Sequence, residues 1–182
     1  MSVAAEFPVG VPSDGMVKAV FAPSVVDTEG VTVAEWTAGT AVDTTCYITA
    51  LEVSGDAQTI EDWRLCSKQV FEDYATVTRT LSITYVYDPQ NPGGTDNELY
   101  EALTEGTKGF FGLFWGKDSD EAVAAGDVAD VYTIKAGPQF KNAPERNSKL
   151  TVTQKLYVTG PTAIDSVVAT SRAPLYAPAR SP

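Results

Sequence analysis

The 182-residue sequence contains no histidine. That absence alone removes Ser-His-Asp and Cys-His catalysis and every zinc site that needs an imidazole. Cysteine is nearly as scarce: Cys46 and Cys66 are the only thiols, and an all-thiolate zinc site needs four. In a reducing compartment two free cysteines are the expectation, although the sequence does not exclude a pair. Positive charge is sparse too, with 13 Lys and Arg against 24 Asp and Glu and a net charge of −11. Proteins that hold nucleic acid do so with clustered Lys and Arg, and no such cluster is present. No apolar run approaches the ~20 residues needed to cross a bilayer, so no membrane partner is expected. The start, MSVAAEFPVGVPSDG, has neither a basic stretch nor a continuous apolar one, so cytoplasmic synthesis is expected.

Two short motifs come close to a chemistry and miss. GLFWGKD (112–118) has three residues between its glycines where a phosphate loop needs four, and Asp118 stands where Ser or Thr is required. Its glycines are expected to relieve crowding beside the neighbouring aromatics. DSDEAVAAGD (118–127) gathers Asp118, Asp120 and Glu121, but Ala122 and Val123 occupy positions where a calcium loop wants a ligand and a glycine. A solvated acidic loop is the expectation. No catalytic residue, cofactor or metal ligand emerges.

What is abundant is alternation. In 76–87, Val77, Leu81, Ile83, Tyr85 and Tyr87 share one face, with Arg79 the exception, while Thr76, Thr78, Thr80, Ser82 and Thr84 form the other. That pattern predicts a strand with a buried side and a hydroxyl-rich wet side. KLTVTQKLYVTG repeats it: Leu150, Val152, Leu156 and Val158 against Thr151, Thr153, Lys155 and Thr159, with Gln154 intruding on the apolar side. Further strands are predicted at 16–22, 31–37, 44–53, 107–115 and 129–136. GFFGLFWG places Phe110 and Phe114 on one face and Phe111 and Trp115 on the other. Burial on both faces is implied, either by the flanking helix or by a neighbouring subunit.

One helix is predicted at about 96–105, with Thr95 and Glu98 in a capping box and Gly106 at its end. The polar segment 59–75 reads as a protruding loop. Residues 1–15 and 171–182 read as an extended N-terminal arm and a Pro-rich C-terminal tail of a single domain spanning 1–182. The predicted fold is therefore mainly β, an antiparallel β-sandwich or barrel with one flanking helix. Charge is unevenly spread: residues 135–182 sum to +5 and the remainder to −16.

The order EDWRLCSKQVFED, TVTRTLSITYVYDPQ, DNELYEALTEGTKGFFGLF, KLTVTQKLYVTGPTA resembles the major tail (tail tube) proteins of long-tailed bacteriophages, most closely those of phages infecting actinobacteria. The resemblance covers roughly residues 44–165. It implies a structural virion protein, not an enzyme, assembled in the host cytoplasm into hexameric rings stacked head to tail. It also implies tape-measure, tail-tip and tail-terminator proteins as partners, and genomic DNA that transits without tight binding. On that reading Thr76, Thr78, Thr80, Ser82, Thr84, Thr151 and Thr153 are candidates to face the lumen. Phe110, Phe111, Phe114 and Trp115 are candidates for a subunit interface, and Trp63, Arg64, Phe71 and Tyr74 for a ring-stacking loop. The +5 and −16 regions suit heterologous stacking. The alternative is a β-sandwich binding module that decorates a capsid or engages a cell-surface glycan; an acid-pair enzyme comes third. If 1–15 serves stacking, its deletion leaves folded subunits that form no tubes in electron micrographs; tubes of normal length would contradict that role.

Overall fold

In the computed structural model, which describes residues 10–66 and 68–171, seven strands pair in the order β2-β1-β5-β6-β7-β4-β3. They are β1 (Val17–Ala22), β2 (Val42–Asp43), β3 (Ile48–Asp62), β4 (Phe71–Val86), β5 (Lys108–Trp115), β6 (Val128–Lys141) and β7 (Thr151–Val167). Two short helices accompany them, α1 (Val33–Trp36) and α2 (Glu98–Ala102), the latter entered through a 3-10 turn, Thr95–Asn97. The fold is mainly β and antiparallel, as the alternation predicts. Residues 1–9 of the proposed N-terminal arm, and all of the C-terminal tail beyond Ser171, lie outside the described residues.

The described chain forms two compact units. Among the described residues the first is drawn from 10–45, 109–132 and 162–171. Here β1 and β5 run antiparallel from Val17↔Trp115 to Ala22↔Phe110. Both faces of the pair are buried: Val20, Ala22 and Phe114 on one side, Ala19, Phe21, Phe111 and Leu113 on the other. The glycines of β5 do make room, but for different rings from those expected. A Cβ at Gly112 would lie 2.5 Å from the Trp36 ring, and one at Gly109 would lie 2.5 Å from Phe21. Trp36 then meets Phe114 edge-to-face at 5.8 Å, within a cluster that includes Val25, Val31, Val131 and Val168.

Residues 31–37 are not the strand their alternation predicts. Thr32-x-x-Glu35 makes a helix start, with the Glu35 carboxylate accepting from the Thr32 amide and hydroxyl at 2.8 Å each. One helical turn is what aims Trp36 at the core. Lys18, only 5% exposed, reaches the Asp43 carboxylate and the Ser119 carbonyl. Burial raises the Asp43 pKa, but hydrogen bonds from Lys18 and Thr45 and the Lys18 charge outweigh it and hold it below the ordinary value.

The second unit, 46–108 and 133–161, is organised by β4. Its C-terminal half pairs on both edges, with β3 (Ala50↔Thr84 to Ser54↔Thr80) and with β7 (Thr80↔Tyr157 to Val86↔Thr151). Its N-terminal half, 71–79, pairs with β3 alone. Burial follows that boundary: Leu81, Ile83 and Tyr85 are fully buried, whereas Val77, on the same predicted face, is exposed. Leu150 is also exposed, because it precedes the first β7 pair. The segment 59–75 is correspondingly not all loop. Residues through Asp62 and from Phe71 belong to strands, leaving 63–70 as the connection of a long ribbon.

Gln154, the polar residue on the apolar side of β7, is completely buried. Its Nε2 donates to the carbonyls of Leu103 (2.8 Å) and Gly137 (2.7 Å), and its Oε1 accepts from the Tyr85 hydroxyl at 3.0 Å. Gln139 Nε2 donates in turn to that hydroxyl and to the Tyr100 carbonyl. Both polar atoms of the buried Gln154 amide and the Tyr85 hydroxyl are bonded, which is the condition on which a buried network stabilises. It ties the end of α2 to three strands. The helix itself is shorter than expected, and the Thr95–Glu98 capping box does not form: Glu98 receives the Tyr47 hydroxyl instead. Asn97 takes over, bonding the amide and carbonyl of Asp88 and the carbonyl of Asn91. Gly106, at φ 88°, turns the chain towards β5.

Burial pushes the Tyr85 pKa up to about 12 from 10.0. The folded state disfavours the phenolate, so this contribution is intact below pH 10 and falls away as pH rises from 10 to 12. Urea midpoints measured across that window should drop more steeply in the wild type than in Tyr85→Phe. Parallel curves would show that Tyr85 is not held neutral by the fold.

Candidate assembly surfaces

The ribbon formed by β3 and β4 supplies the first surface. Over 52–62 and 71–79 every residue is exposed, so this stretch has no core of its own. A two-stranded hairpin in water is marginally stable at best. At its end Trp63 (66% exposed), Phe71 (52%) and Tyr74 (73%) present their rings, and Leu65 (90%) its side chain. Three of the four stacking candidates, Trp63, Phe71 and Tyr74, therefore form an apolar tip. The fourth, Arg64, is bound by Asp62, Nη2 to Oδ2 at 2.8 Å and Nε to the same carboxylate at 3.1 Å, which neutralises it locally. Register sets Glu61 directly opposite Glu72, and Ile60 opposite Asp73.

The second surface is the hydroxyl face. The two threonine rows, predicted separately, come together because β4 and β7 are hydrogen-bonded neighbours. Thr84 stands opposite Thr153, Ser82 opposite Lys155 and Thr80 opposite Tyr157. β3 continues the rows with Ala50, Glu52, Ser54 and Asp56. Thr84 and Thr153 hydroxyls bond each other at 2.9 Å, and Asn142 bridges Thr151 and Thr153 at 3.0 Å each. Lys155, the one cation in the threonine row of β7, lies over the Tyr157 ring at 5.4 Å, and Tyr157 covers the space left by Gly137. Thr76 and Thr78 extend the face onto the exposed half of the ribbon, Thr76 beside a register shift.

The aromatics of β5 are placed differently from one another. Phe111 and Phe114 are fully buried in the chain's own interior and have no surface to offer a neighbour; Phe110 is half-buried. Trp115 is 51% exposed, its indole donating to Asp130 at 2.8 Å, and Asp130 also accepts from the Asp165 amide. The acidic loop after β5 is less free than its composition suggests: Lys117 bridges Asp127 at 2.9 Å and Glu121 at 3.5 Å. Its pKa is raised because those carboxylates outweigh the opposing effect of burial. Among the described residues no group of three or more His, Cys, Asp and Glu is placed to hold a metal ion, and both cysteines are free and exposed. No helix of the described chain is long and apolar enough to cross a membrane.

These features define a β protein distinguished by its surfaces. The family model of the phage tail tube protein matches residues 4–171, and the chain belongs to that family. Its role is structural, in the tail of a virion, and it is not an enzyme. Among solved structures, the chain is similar to one in the tail of an empty gene transfer agent particle, at 12% identity and TM-score 0.49, covering 86% of this chain and 98% of that one. It is also similar to one in the tube-terminating cap of the anti-feeding prophage, at 13% identity and TM-score 0.49, covering 90% and 92%. A third, in the baseplate of the anti-feeding prophage, shares 8% identity at TM-score 0.47, covering 94% and 100%. Among curated proteins nothing matches.

Because the tip side chains touch little of their own subunit, Trp63→Ser with Phe71→Ser should leave the unfolding free energy within about 0.5 kcal/mol of wild type. Urea denaturation of the isolated subunit checks this. A loss of several kcal/mol would mean that the tip is part of the fold.

Proposed function

We propose that this chain is the repeating subunit of the tail tube, forming hexameric rings that stack head to tail and enclose a lumen through which genomic DNA passes. The observation that carries the reading, beside family membership, is the ribbon: a long paired element with exposed apolar side chains and no core needs a partner in an assembly. Assembly takes place in the host cytoplasm on tape-measure and tail-tip proteins, and a terminator closes the tube. The wording of residues 44–165 is nearest to that of tail tube proteins of phages infecting actinobacteria.

The hydroxyl face is our candidate for the lumen wall. Between Ala50 and Asp56 on β3, and across to Lys155 and Tyr157, it carries two carboxylates and one ammonium, and the ammonium is engaged with a ring. Such a wall avoids the release of counterions by which basic proteins hold DNA. The balance of +5 over residues 135–182 against −16 over the remainder suits head-to-tail stacking of unlike surfaces.

Negative-stain microscopy of the chain with tail initiator and tape-measure protein should show hollow tubes of six-fold rings. Tubes carrying Thr80→Arg and Ser82→Arg should retain duplex DNA at low salt and release it as salt rises, whereas wild-type tubes retain none. A persistent monomer under those conditions would contradict the tube and favour a binding module. Equal DNA retention by both tubes would take this face off the lumen.

A further inference from the structure

The two ends of the β3–β4 ribbon carry complementary surfaces. At the tip, Trp63, Leu65, Phe71 and Tyr74 are exposed, and Glu61 faces Glu72 across the ladder. Like charges directly opposite each other destabilise a strand pair. Arg64 is already taken by Asp62, and among the described residues neither Glu61 nor Glu72 has an ion-pair partner. The tip is therefore apolar, and two of its carboxylates, Glu61 and Glu72, are left without a paired cation.

At the base lies an open groove of about 690 Å³, lined by Tyr47, Val86, Tyr87, Lys149 and Leu150 together with Asp88 and Asp96. The exposed connection 142–150 ends in it, at Lys149 and Leu150, and the Arg146 and Lys149 of that connection have no ion-pair partner among the described residues. The groove has room for an aromatic side chain, and Lys149 in its lining, with Arg146 three residues earlier in the chain, offers cations for the two unpaired carboxylates of the tip.

Distance decides whose groove it is. Ile48 to Asp62 at ~3.3 Å per residue separates base from tip by about 45 Å, so a tip cannot reach the groove at the foot of its own ribbon. Resting on the tube reading for the presence of other copies, we infer that the ribbon tip of one subunit seats in the ribbon-base groove of another. Glu61 and Glu72 meet Arg146 and Lys149, the tip aromatics fill the groove, and the tip's Lys68 provides a counter-charge for Asp88 and Asp96. The contact joins two different surfaces, so it leaves a free tip and a free groove at the ends and propagates.

The chain's two thiols mark the two halves of this contact. Cys66 lies in the tip connection and Cys46 lines the groove; both are free and exposed. Within one chain they stand near opposite ends of the ribbon, whereas docking brings Cys66 of one copy to Cys46 of the next.

Full-length chain assembled with initiator and tape-measure protein is treated with a short bis-maleimide, which adds one thiolate to each of its two rings. The expected product is a ladder of covalent multimers whose cross-linked peptides join Cys46 to Cys66, and Cys46→Ser or Cys66→Ser abolishes the ladder. Separately, Glu61→Lys with Glu72→Lys, and Arg146→Glu with Lys149→Glu, should each raise the concentration needed for assembly by at least about tenfold. Mixing the two variants should restore it, and each should keep the wild-type urea midpoint. Wild-type tubes without 46–66 cross-links, or reversed variants that assemble like wild type, overturn this docking while leaving the tube intact. Failure of the wild type to form tubes at all overturns the tube reading, and the docking with it.

Discussion

The structure depends on where β4 stops having two neighbours. From Thr80 to Val86 the strand is bonded to β3 and β7 and its apolar side chains are sealed; before Thr80 it has β3 alone. One sequence thus makes core in its second half and a bare ribbon in its first. Everything proposed for assembly follows from that division. The doubly paired half aligns the threonines of β4 and β7 into one face, and the half paired with β3 alone carries Trp63, Phe71 and Tyr74 away from any core of their own.

The Gln154 knot is what lets the paired half serve as a foundation. A buried amide is costly unless each of its groups is bonded, and here the carbonyls of Leu103 and Gly137 and the Tyr85 hydroxyl satisfy it. Replacing one member would leave several buried groups unpaired, at about 1–3 kcal/mol each. The arrangement fixes α2 against the strands on the side away from the threonines, so the hydroxyl face remains free of helix.

Much of this was legible in the sequence. The sequence pattern located six strands, and the threonine rows were identifiable residue by residue because a period of two assigns faces without knowledge of partners. Exposure was not, since it depends on how far a partner strand runs: Val77 matches Leu81 in pattern and differs from it only in lacking β7 alongside. The same limit made the outer ribbon read as loop, because strands without a core show no apolar alternation. Thr32-x-x-Glu35 was a helix signal overridden by the alternation of Val31 and Val33, while the same signature at Thr95 and Glu98 was not realised. Gln154 stood out as an intruder on an apolar face, and that was the available sign of a buried network. The burial of Phe111 and Phe114 was half legible: two-faced burial was implied, and the chain itself covers both.

Hydrogen–deuterium exchange compared between free subunit and assembled tube tests the central claim most directly. The account predicts that amides of 80–86 are protected in both states. Those of 53–62 and 71–79 should exchange rapidly in the free subunit and slow by orders of magnitude on assembly. An outer ribbon as protected in the free subunit as in the tube, or one that still exchanges freely in the tube, would contradict it.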